Sequence, residues 1–202
     1  AQQFALMVAL MVRGHAAAAA AIPFALWDAA TGRAIDFRVE GAKKWHELEQ
    51  TGKLFLGIDH TAIVVGDSDE SLKFYRGSLG LTVAGTSDNF GNEQEHLNNV
   101  FGAKLHITGL RTKEDGIAVE FLEYLAPRDG KPFPKDTRSN DLWHWQTSFA
   151  TEKADDLASI LRLKKFDFIS SGVILLAGNN FDYKKALLVR DADGHAVRVI
   201  ER

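Results

Sequence analysis

The chain has 202 residues, enough for one domain or for two small halves that share a core. A hydrophobic fraction of 46%, a charged fraction of 25% and a net charge of -3 without a basic stripe favour a globular protein and argue against nucleic-acid binding. The sequence contains no cysteine, which excludes disulfides, thiolate metal sites and cysteine nucleophiles and leaves the redox compartment undetermined.

Residues 1–53 differ in composition from the rest of the chain and are treated as an N-terminal extension. Residues 4–12 form an apolar run that is too short to span a bilayer, and no basic residues precede it as they would in a signal peptide. A buried strand followed by an alanine-rich helix is therefore favoured. This favours a cytoplasmic protein without a membrane partner and leaves a secreted or periplasmic location open. Exposure of the run would favour a homodimer.

The end of the extension resembles the end of the chain. Residues 24–37 look like a worn copy of 187–199, because in both a turn glycine is followed four residues later by a strand position. Residues 1–53 are thus compatible with the tail of a further, degenerate module.

A regular pattern begins at residue 54 and continues to residue 128. The run 54–65 is apolar and β-branched, which predicts a strand. Asp67 or Ser68 can cap the helix that follows, and Gly80 can end it. One helical face is predicted from the spacing of Leu72, Tyr75 and Leu79. The later segments are a short strand, a polar loop and two further strands, at 81–85, 87–99, 103–110 and 117–125.

The same order returns in residues 138–202. The linker at 126–140 holds three of the four prolines, and Thr151 can cap a second helix. The predicted strands of this half are 142–149, 173–176, 186–190 and 196–200, with a tight turn at 191–194. Residues 54–202 therefore predict an α+β domain of two tandem βαβββ modules, module one at 54–128 and module two at 138–202.

The two modules share a short motif with a histidine. It runs through 57–65 in the first module and 141–149 in the second, and places His60 and His144 at the start of a predicted strand. A lone histidine is usually a satisfied core or surface residue. Two histidines at equivalent positions favour a metal site shared by the modules.

At this point the sequence resembles the vicinal oxygen chelate superfamily, which includes glyoxalase I, methylmalonyl-CoA epimerase, extradiol dioxygenases, and the bleomycin and fosfomycin resistance proteins. The match is carried by residues 57–65 (GIDHTAIVV), 71–81 (SLKFYRGSLGL), 119–125 (VEFLEYL), 142–149 (LWHWQTSF) and 189–201 (VRDADGHAVRVIE). The resemblance implies modules that form a cup-shaped mixed sheet with helices outside, a divalent metal inside the cup, and a small-molecule substrate.

The resemblance also implies a ligand set. His60 and His144 hold the first-strand positions and Glu120 holds the last-strand position of module one, whereas Glu123 is expected to face away. The fourth position, usually glutamate, is Arg198, whose guanidinium has no lone pair to offer a cation.

Three interpretations of this site stay open. His60, Glu120 and His144 can form a three-ligand site for Fe, Mn, Ni or Zn with open coordination positions. Arg198 can bind an anionic substrate beside that metal. Alternatively the metal site is degenerate, and Arg198 forms an internal salt bridge with Glu120.

The preferred function is a glyoxalase- or dioxygenase-like metalloenzyme whose metal acts as a Lewis acid on a substrate with adjacent oxygens. Glu120 is then a ligand and also a candidate base, and the reaction is that of a lyase, isomerase or dioxygenase. Asn99, in a segment expected near the cup mouth, is a candidate substrate contact, although a surface loop is slightly favoured there. The alternative functions are a non-catalytic ligand-binding protein of the bleomycin-resistance kind and a pseudo-enzyme module for assembly.

Overall fold

A computed structural model describes residues 58–114, 116–177 and 182–202, together with the backbone of four strand segments at 7–12, 27–28, 33–34 and 55–57. The chain divides into two compact units. We call the described parts of Gln3–Val65 and Leu81–Gly130 the first unit. The second unit contains Gly66–Gly80 and Lys131–Arg202. The helix of the first predicted module therefore lies in the same unit as the strands of the second.

The first unit is built on a five-stranded mixed sheet with the order β1-β4-β7-β6-β5. Only β4 and β7 run parallel, and the other neighbours are antiparallel. Two short strands, β2 and β3, pair separately. The elements of this unit are β1 (Met7–Val12), β2 (Trp27–Asp28), β3 (Arg33–Ala34), β4 (Phe55–Val65), β5 (Thr82–Phe90), β6 (Lys104–Arg111) and β7 (Ala118–Ala126). Helix α2 (Asn92–Asn98) follows β5. Helix α1 (Ser68–Tyr75) comes earlier in the chain and belongs to the second unit.

Strand β7 lies in the interior of this sheet and is buried on both faces over its first half. One face carries Glu120 and Leu122, and Leu122 packs in a core cluster with Ala62, Leu105 and Ile107. The opposite face carries the fully buried ring of Phe121. Burial of a side chain of that size stabilises a fold by about 1.5–3 kcal/mol, so β7 and the residues beside it are held in a fixed register.

The second unit is built on a four-stranded sheet with the order β8-β11-β10-β9. Strands β8 and β11 run parallel, and β10 is antiparallel to both of its neighbours. The elements are α1 (Ser68–Tyr75), β8 (Gln146–Thr151), α3 (Ala154–Leu163), β9 (Ile174–Leu175), β10 (Lys185–Arg190) and β11 (Ala196–Glu201). Asp67 caps α1 by accepting a hydrogen bond from the backbone N–H of Glu70 at 3.0 Å.

A buried carboxylate secures the turn between β10 and β11. The Oδ2 atom of Asp191 accepts a hydrogen bond from the Tyr75 hydroxyl at 2.8 Å, and its Oδ1 atom accepts from the backbone N–H of His195 at 2.8 Å. The His195 ring lies against Trp145 and binds Asp191 through Nδ1 at 3.0 Å. Gly194 has a φ of 94°, which favours glycine. The predicted tight turn is confirmed, and it also ties α1 to the sheet of this unit.

Two sequence-based predictions about local structure were wrong. The segment 87–99 was expected to be a polar loop, but β5 continues to Phe90 and α2 follows it. The polar side chains of β5 are tolerated because β5 is an edge strand, which leaves much of it in contact with solvent. The strand expected at 142–149 begins only at Gln146, because a turn in which the His144 N–H binds the Asp141 carbonyl precedes it.

The strand order confirms the α+β class and the two tandem βαβββ modules predicted from the sequence. Within the described residues, every helix is too short or too polar to cross a membrane.

Candidate functional site

The first unit places His60 and Glu120 together on one face of its sheet. Strands β4 and β7 pair in parallel so that His60 lies opposite Ala118, and Ala62 lies opposite Glu120. Residues opposite each other, and residues two apart along a strand, share a face of a sheet. The His60 Nε2 atom and the Glu120 Oε2 atom are 3.6 Å apart as a result.

Both side chains are buried, and within the described part of the chain the hydrogen bonding of Glu120 is incomplete. His60 is 6% exposed and Glu120 is 5% exposed. The Oε2 atom of Glu120 has no hydrogen-bond partner among the described residues. A buried carboxylate oxygen without a partner is costly and rare in structures, so a further group is expected to bind there.

The local environment raises the pKa of both groups. Burial raises the pKa of Glu120 to about 7, against the opposing effect of His60. Burial lowers the pKa of His60, but the hydrogen bond with Asp59 and the charge of Glu120 outweigh burial, so the pKa of His60 is raised. Near neutral pH the pair can therefore gain or lose a proton at little cost.

Asp59 fixes the orientation of the histidine ring. Its Oδ2 atom lies 2.9 Å from His60 Nδ1, and both residues are buried. A proton on Nδ1 is thereby favoured, which leaves the Nε2 lone pair directed towards Glu120. A carboxylate that holds one nitrogen of a histidine while the other nitrogen binds a cation is a common feature of metal centres.

The pair fits a divalent metal ion. Two donors about 2.1 Å from one ion at a tetrahedral angle lie about 3.4 Å apart, close to the spacing that this pair shows. In the described ranges, three or more histidine and acidic side chains do not converge as a ligand set. The first unit thus offers one imidazole and one carboxylate.

A hollow beside the pair is lined by small residues and one arginine. It opens to solvent and includes His60, Glu120, Gly109 and Arg111 in its walls. The Arg111 guanidinium lies 3.9 Å from Asp59 Oδ1. Sequence reasoning missed Asp59 and Arg111. The Asp59-His60 dipeptide was a usable signal, whereas the position of Arg111 follows only from the pairing of β6 with β7.

Arg198 has its own partners in the second unit. It pairs with Ser148 across β11 and β8, and its Nε donates to the Ser148 hydroxyl at 3.0 Å. Its guanidinium carbon lies 5.8 Å from the centre of the Tyr183 ring. Because α3 contacts β11 and Glu201 binds the backbone of Ala154, alternation places Arg198 on the face away from α3.

The expected equivalence of His60 and His144 was wrong. Arg198 corresponds to Glu120 in the family pattern, so Ala196, two residues earlier, corresponds to Ala118. Ala118 pairs with His60, whereas Ala196 pairs with Gln146. Gln146 therefore occupies the position that corresponds to His60. The helix starts agree, because Ser68 and Ala154 each begin a helix eight residues after His60 and Gln146 respectively. His144 lies in the turn before β8 and is half-buried. Its role as a metal ligand stays a prediction.

The remaining sequence-based candidates lie elsewhere in the first unit. Asn99 ends α2 in the left-handed conformation, with φ 52° and ψ 41°, and is exposed. Its role as a substrate contact stays a prediction. Its neighbour Asn98 donates to the Tyr124 hydroxyl. Glu123 lies across from His106 and close to Arg128, on the face of β7 that does not carry Glu120, as alternation along the strand predicts.

Comparison with known families identifies the family of this chain. A model of the Glyoxalase/Bleomycin resistance protein/Dioxygenase superfamily matches residues 57–199. The chain therefore belongs to the Glyoxalase/Bleomycin resistance protein/Dioxygenase superfamily. No curated protein compared with the chain gave a significant match.

A solved structure of this family shares the fold, and others resemble the chain more weakly. A glyoxalase family protein from Bacillus cereus is 18% identical, with a TM-score of 0.62 over 71% of this chain and 91% of its own. The trypanothione-dependent glyoxalase I of Leishmania major is 19% identical, with a TM-score of 0.46 over 70% of this chain and 84% of its own. A glyoxalase family protein from Enterococcus faecalis is 17% identical, with a TM-score of 0.48 over 72% of this chain and 97% of its own.

Proposed function

We propose that the protein is a small-molecule metalloenzyme that holds a divalent metal ion with His60 and Glu120. The observation that carries the proposal is the buried pair of donor atoms 3.6 Å apart, one of which has no hydrogen-bond partner among the described residues. Imidazole and carboxylate donors suit Fe, Mn, Ni and Zn. The sequence also suggests His144 as a third ligand; this is a separate proposal, and the strand register, which aligns Gln146 with His60, argues against it.

A bound divalent ion supplies Lewis-acid chemistry to a substrate that carries two adjacent oxygens. Asp59 keeps the His60 ring in one orientation by holding Nδ1. Burial raises the pKa of Glu120 to about 7 in the metal-free protein, and a bound cation would lower it. When its carboxylate leaves the ion, Glu120 would serve as the base that takes a proton from a substrate and returns it. Such a reversible transfer at one carbon is the step that an isomerase or a lyase requires. Dioxygenase chemistry needs a redox-active metal in addition.

A second candidate function is non-catalytic binding of a small molecule in the same hollow. Arg198 favours it, because this residue stands where the family pattern has a metal-binding glutamate and already has Ser148 and Tyr183 as partners. In that case the hollow beside His60 would bind its ligand without a metal ion.

Metal content of the purified protein tests the first function against the second. Mass spectrometry should find close to one equivalent of a divalent transition metal in the wild type, and less than a tenth of that in the His60→Ala and Glu120→Gln variants. The matched control is His106→Ala, because His106 also binds an aspartate, Asp88, at 2.7 Å in the same unit but lies outside the hollow. A wild type that stays metal-free after incubation with Fe(II), Mn(II), Ni(II) and Zn(II) would overturn the metalloenzyme.

A further inference from the structure

The four-stranded sheet of the second unit has one face that lies away from α3, which we call the open face. Alternation and strand pairing place three rows of residues across it. The rows are Gln146, Ala196 and Arg190; Ser148, Arg198 and Leu188; and Ala150, Ile200, Ala186 and Ile174. Ser148 and Ala150 are exposed, and Ile174 is 41% exposed. Parts of the open face are therefore accessible to a ligand.

The charged residues of the open face are all basic. They are Arg190 and Arg198, and the three rows contain no acidic residue. Among the described residues, no carboxylate lies within ion-pair distance of either arginine. The carboxylates of Asp155 and Glu201 bind Lys185 on the side of α3 instead. An anion on the open face would therefore be attracted without meeting a like charge in these rows.

The Arg198 side chain is held in one orientation, with its terminal donors available. Its Nε donates to the Ser148 hydroxyl at 3.0 Å, and its guanidinium carbon lies 5.8 Å from the centre of the Tyr183 ring. Its two Nη atoms have no hydrogen-bond partner among the described residues. Two terminal guanidinium nitrogens match the two oxygens of a planar carboxylate. The Ser148 hydroxyl accepts from Nε and keeps its own proton to donate to the same anion.

Arg190 is less available than Arg198. Its Nη1 atom donates to the Gly194 carbonyl at 2.6 Å, which directs the side chain towards the turn between β10 and β11. One guanidinium is therefore fully available for a ligand on the open face. This favours an anion with a single negative charge over a dianion.

An apolar row lies directly beside Arg198. Its members, one on each strand of the sheet, are Ala150, Ile200, Ala186 and Ile174. Positions two apart along a strand are separated by roughly 6.6 Å, a distance that a single ring system can span. The alanines leave room above the sheet that a longer side chain would occupy. An apolar group attached to a carboxylate can cover this row while the carboxylate meets Arg198.

We propose that the open face binds an organic monocarboxylate with an apolar body, and that Arg198 and Ser148 bind its carboxylate. The apolar body, an aromatic or branched aliphatic group, covers the row beside Arg198. The proposal goes beyond the metal function, because it uses neither His60 nor Glu120 and requires no metal ion.

NMR titration of the whole chain with 2-naphthoate, in the presence of EDTA, tests the site without a metal ion. Two further probes divide the ligand into its parts: 2-naphthamide keeps the shape without the charge, and acetate keeps the charge without the apolar body. The wild type should bind 2-naphthoate at least about 10-fold more tightly than either. Arg198→Gln should weaken 2-naphthoate binding by about 10- to 100-fold and change 2-naphthamide binding by less than about 3-fold.

The matched control is Arg190→Gln, which removes the same charge from the same face at the arginine that binds the Gly194 carbonyl. It should weaken 2-naphthoate binding by less than about 3-fold, since it acts on the carboxylate only through a more distant charge. Arg198→Lys keeps the charge without Nε and the planar fork, and should give an intermediate loss. This variant decides the question if Arg198→Gln fails a thermal unfolding check.

The outcomes separate this site from the hollow beside His60. Binding of 2-naphthoate that survives His60→Ala and is lost in Arg198→Gln supports the proposal, whatever the metal content of the protein. Binding that is lost in His60→Ala and unchanged in Arg198→Gln would overturn it. Equal losses in Arg190→Gln and Arg198→Gln would show a general attraction to positive charge and would also overturn it, as would a wild type that binds no 2-naphthoate.

Discussion

Two buried carboxylates in this chain, each beside a histidine, differ in how completely they are bonded. Asp191 in the second unit has a fully buried side chain that binds Tyr75 and His195. Glu120 in the first unit is 5% exposed, faces His60, and has one oxygen without a hydrogen bond among the described residues. A satisfied buried carboxylate stabilises the fold, whereas an unsatisfied one lowers stability and keeps a lone pair for a ligand. The comparison separates a structural site from a functional one.

The strand pairing of the two units gives a second contrast at matched positions. Glu120 and Arg198 lie in corresponding rows, opposite Ala62 and Ser148 respectively. Glu120 offers lone pairs to a cation. The Arg198 Nε atom donates a hydrogen bond to Ser148, and its guanidinium lies over the Tyr183 ring. One backbone arrangement thus supports opposite charges, so a fold-level match alone does not establish a metal site in each module.

The largest effect is expected from loss of the satisfied carboxylate. Asp191→Ala should lower the free energy of unfolding by about 3–4 kcal/mol, because the Tyr75 hydroxyl and the His195 backbone N–H lose a buried acceptor. Glu120→Gln should not lower stability, because it removes a buried charge whose Oε2 atom has no hydrogen-bond partner among the described residues, which offsets the loss of the ion pair with His60. Urea denaturation of both variants at pH 8 measures the difference. Equal losses would remove the distinction between the two carboxylates.

The pH dependence of metal-free protein should reveal the raised pKa of Glu120. Its folded pKa is about 7 and its ordinary value is 4.5, so the folded state binds the extra proton. Its contribution to stability is fully present below about pH 4.5 and is lost as the pH rises through 7, by at most about 3 kcal/mol. Thermal unfolding between pH 5 and pH 8 should show this decline in the wild type. Glu120→Gln should flatten the profile, and the same slope in both would contradict the account.

A smaller effect is expected from the residue that orients His60. Asp59→Asn should weaken divalent metal binding by about 10- to 100-fold, the usual result of losing a carboxylate behind a histidine ligand. The control is Asp88→Asn, which removes the partner of His106 in the same sheet and should leave metal binding unchanged. Titration calorimetry with Mn²⁺ measures both. Similar affinities in the two variants would show that the orientation of His60 does not depend on Asp59.

The smallest effect is expected at the second histidine. His144 lies before β8, and Gln146 occupies the row that corresponds to His60. The register therefore predicts that His144→Ala changes Mn²⁺ affinity by less than about 3-fold, well below the loss caused by His60→Ala. A loss of Mn²⁺ affinity as large as that of His60→Ala would show that His144 is a ligand. The strand register would then have failed to predict which residues bind the metal ion.

Much of the fold could be predicted from local pattern. A few neighbouring residues are enough to predict three features: the apolar strand β4, the Asp67 helix cap and the turn at Asp191. The structure agrees with all three. Glu120 was placed by strand alternation and by the family pattern, and its burial beside His60 fits that placement.

The rest depends on pairing between distant segments. The position of Arg111 beside Ala118 and the correspondence of Gln146 with His60 follow from strand register, which a single sequence does not display. The repeated histidines suggested the wrong alignment because His144 is two residues from the matching position. The polar composition of β5 concealed a strand, since an edge strand needs fewer apolar residues.

Electron spin-echo spectroscopy of bound Mn²⁺ tests the central claim most directly, because it detects a nitrogen nucleus coordinated to the ion. The account predicts a histidine nitrogen signal in the wild type that disappears in His60→Gln and persists in His106→Gln. Mn²⁺ bound without any nitrogen signal, or with one that survives the loss of His60, would contradict the proposed metal pair.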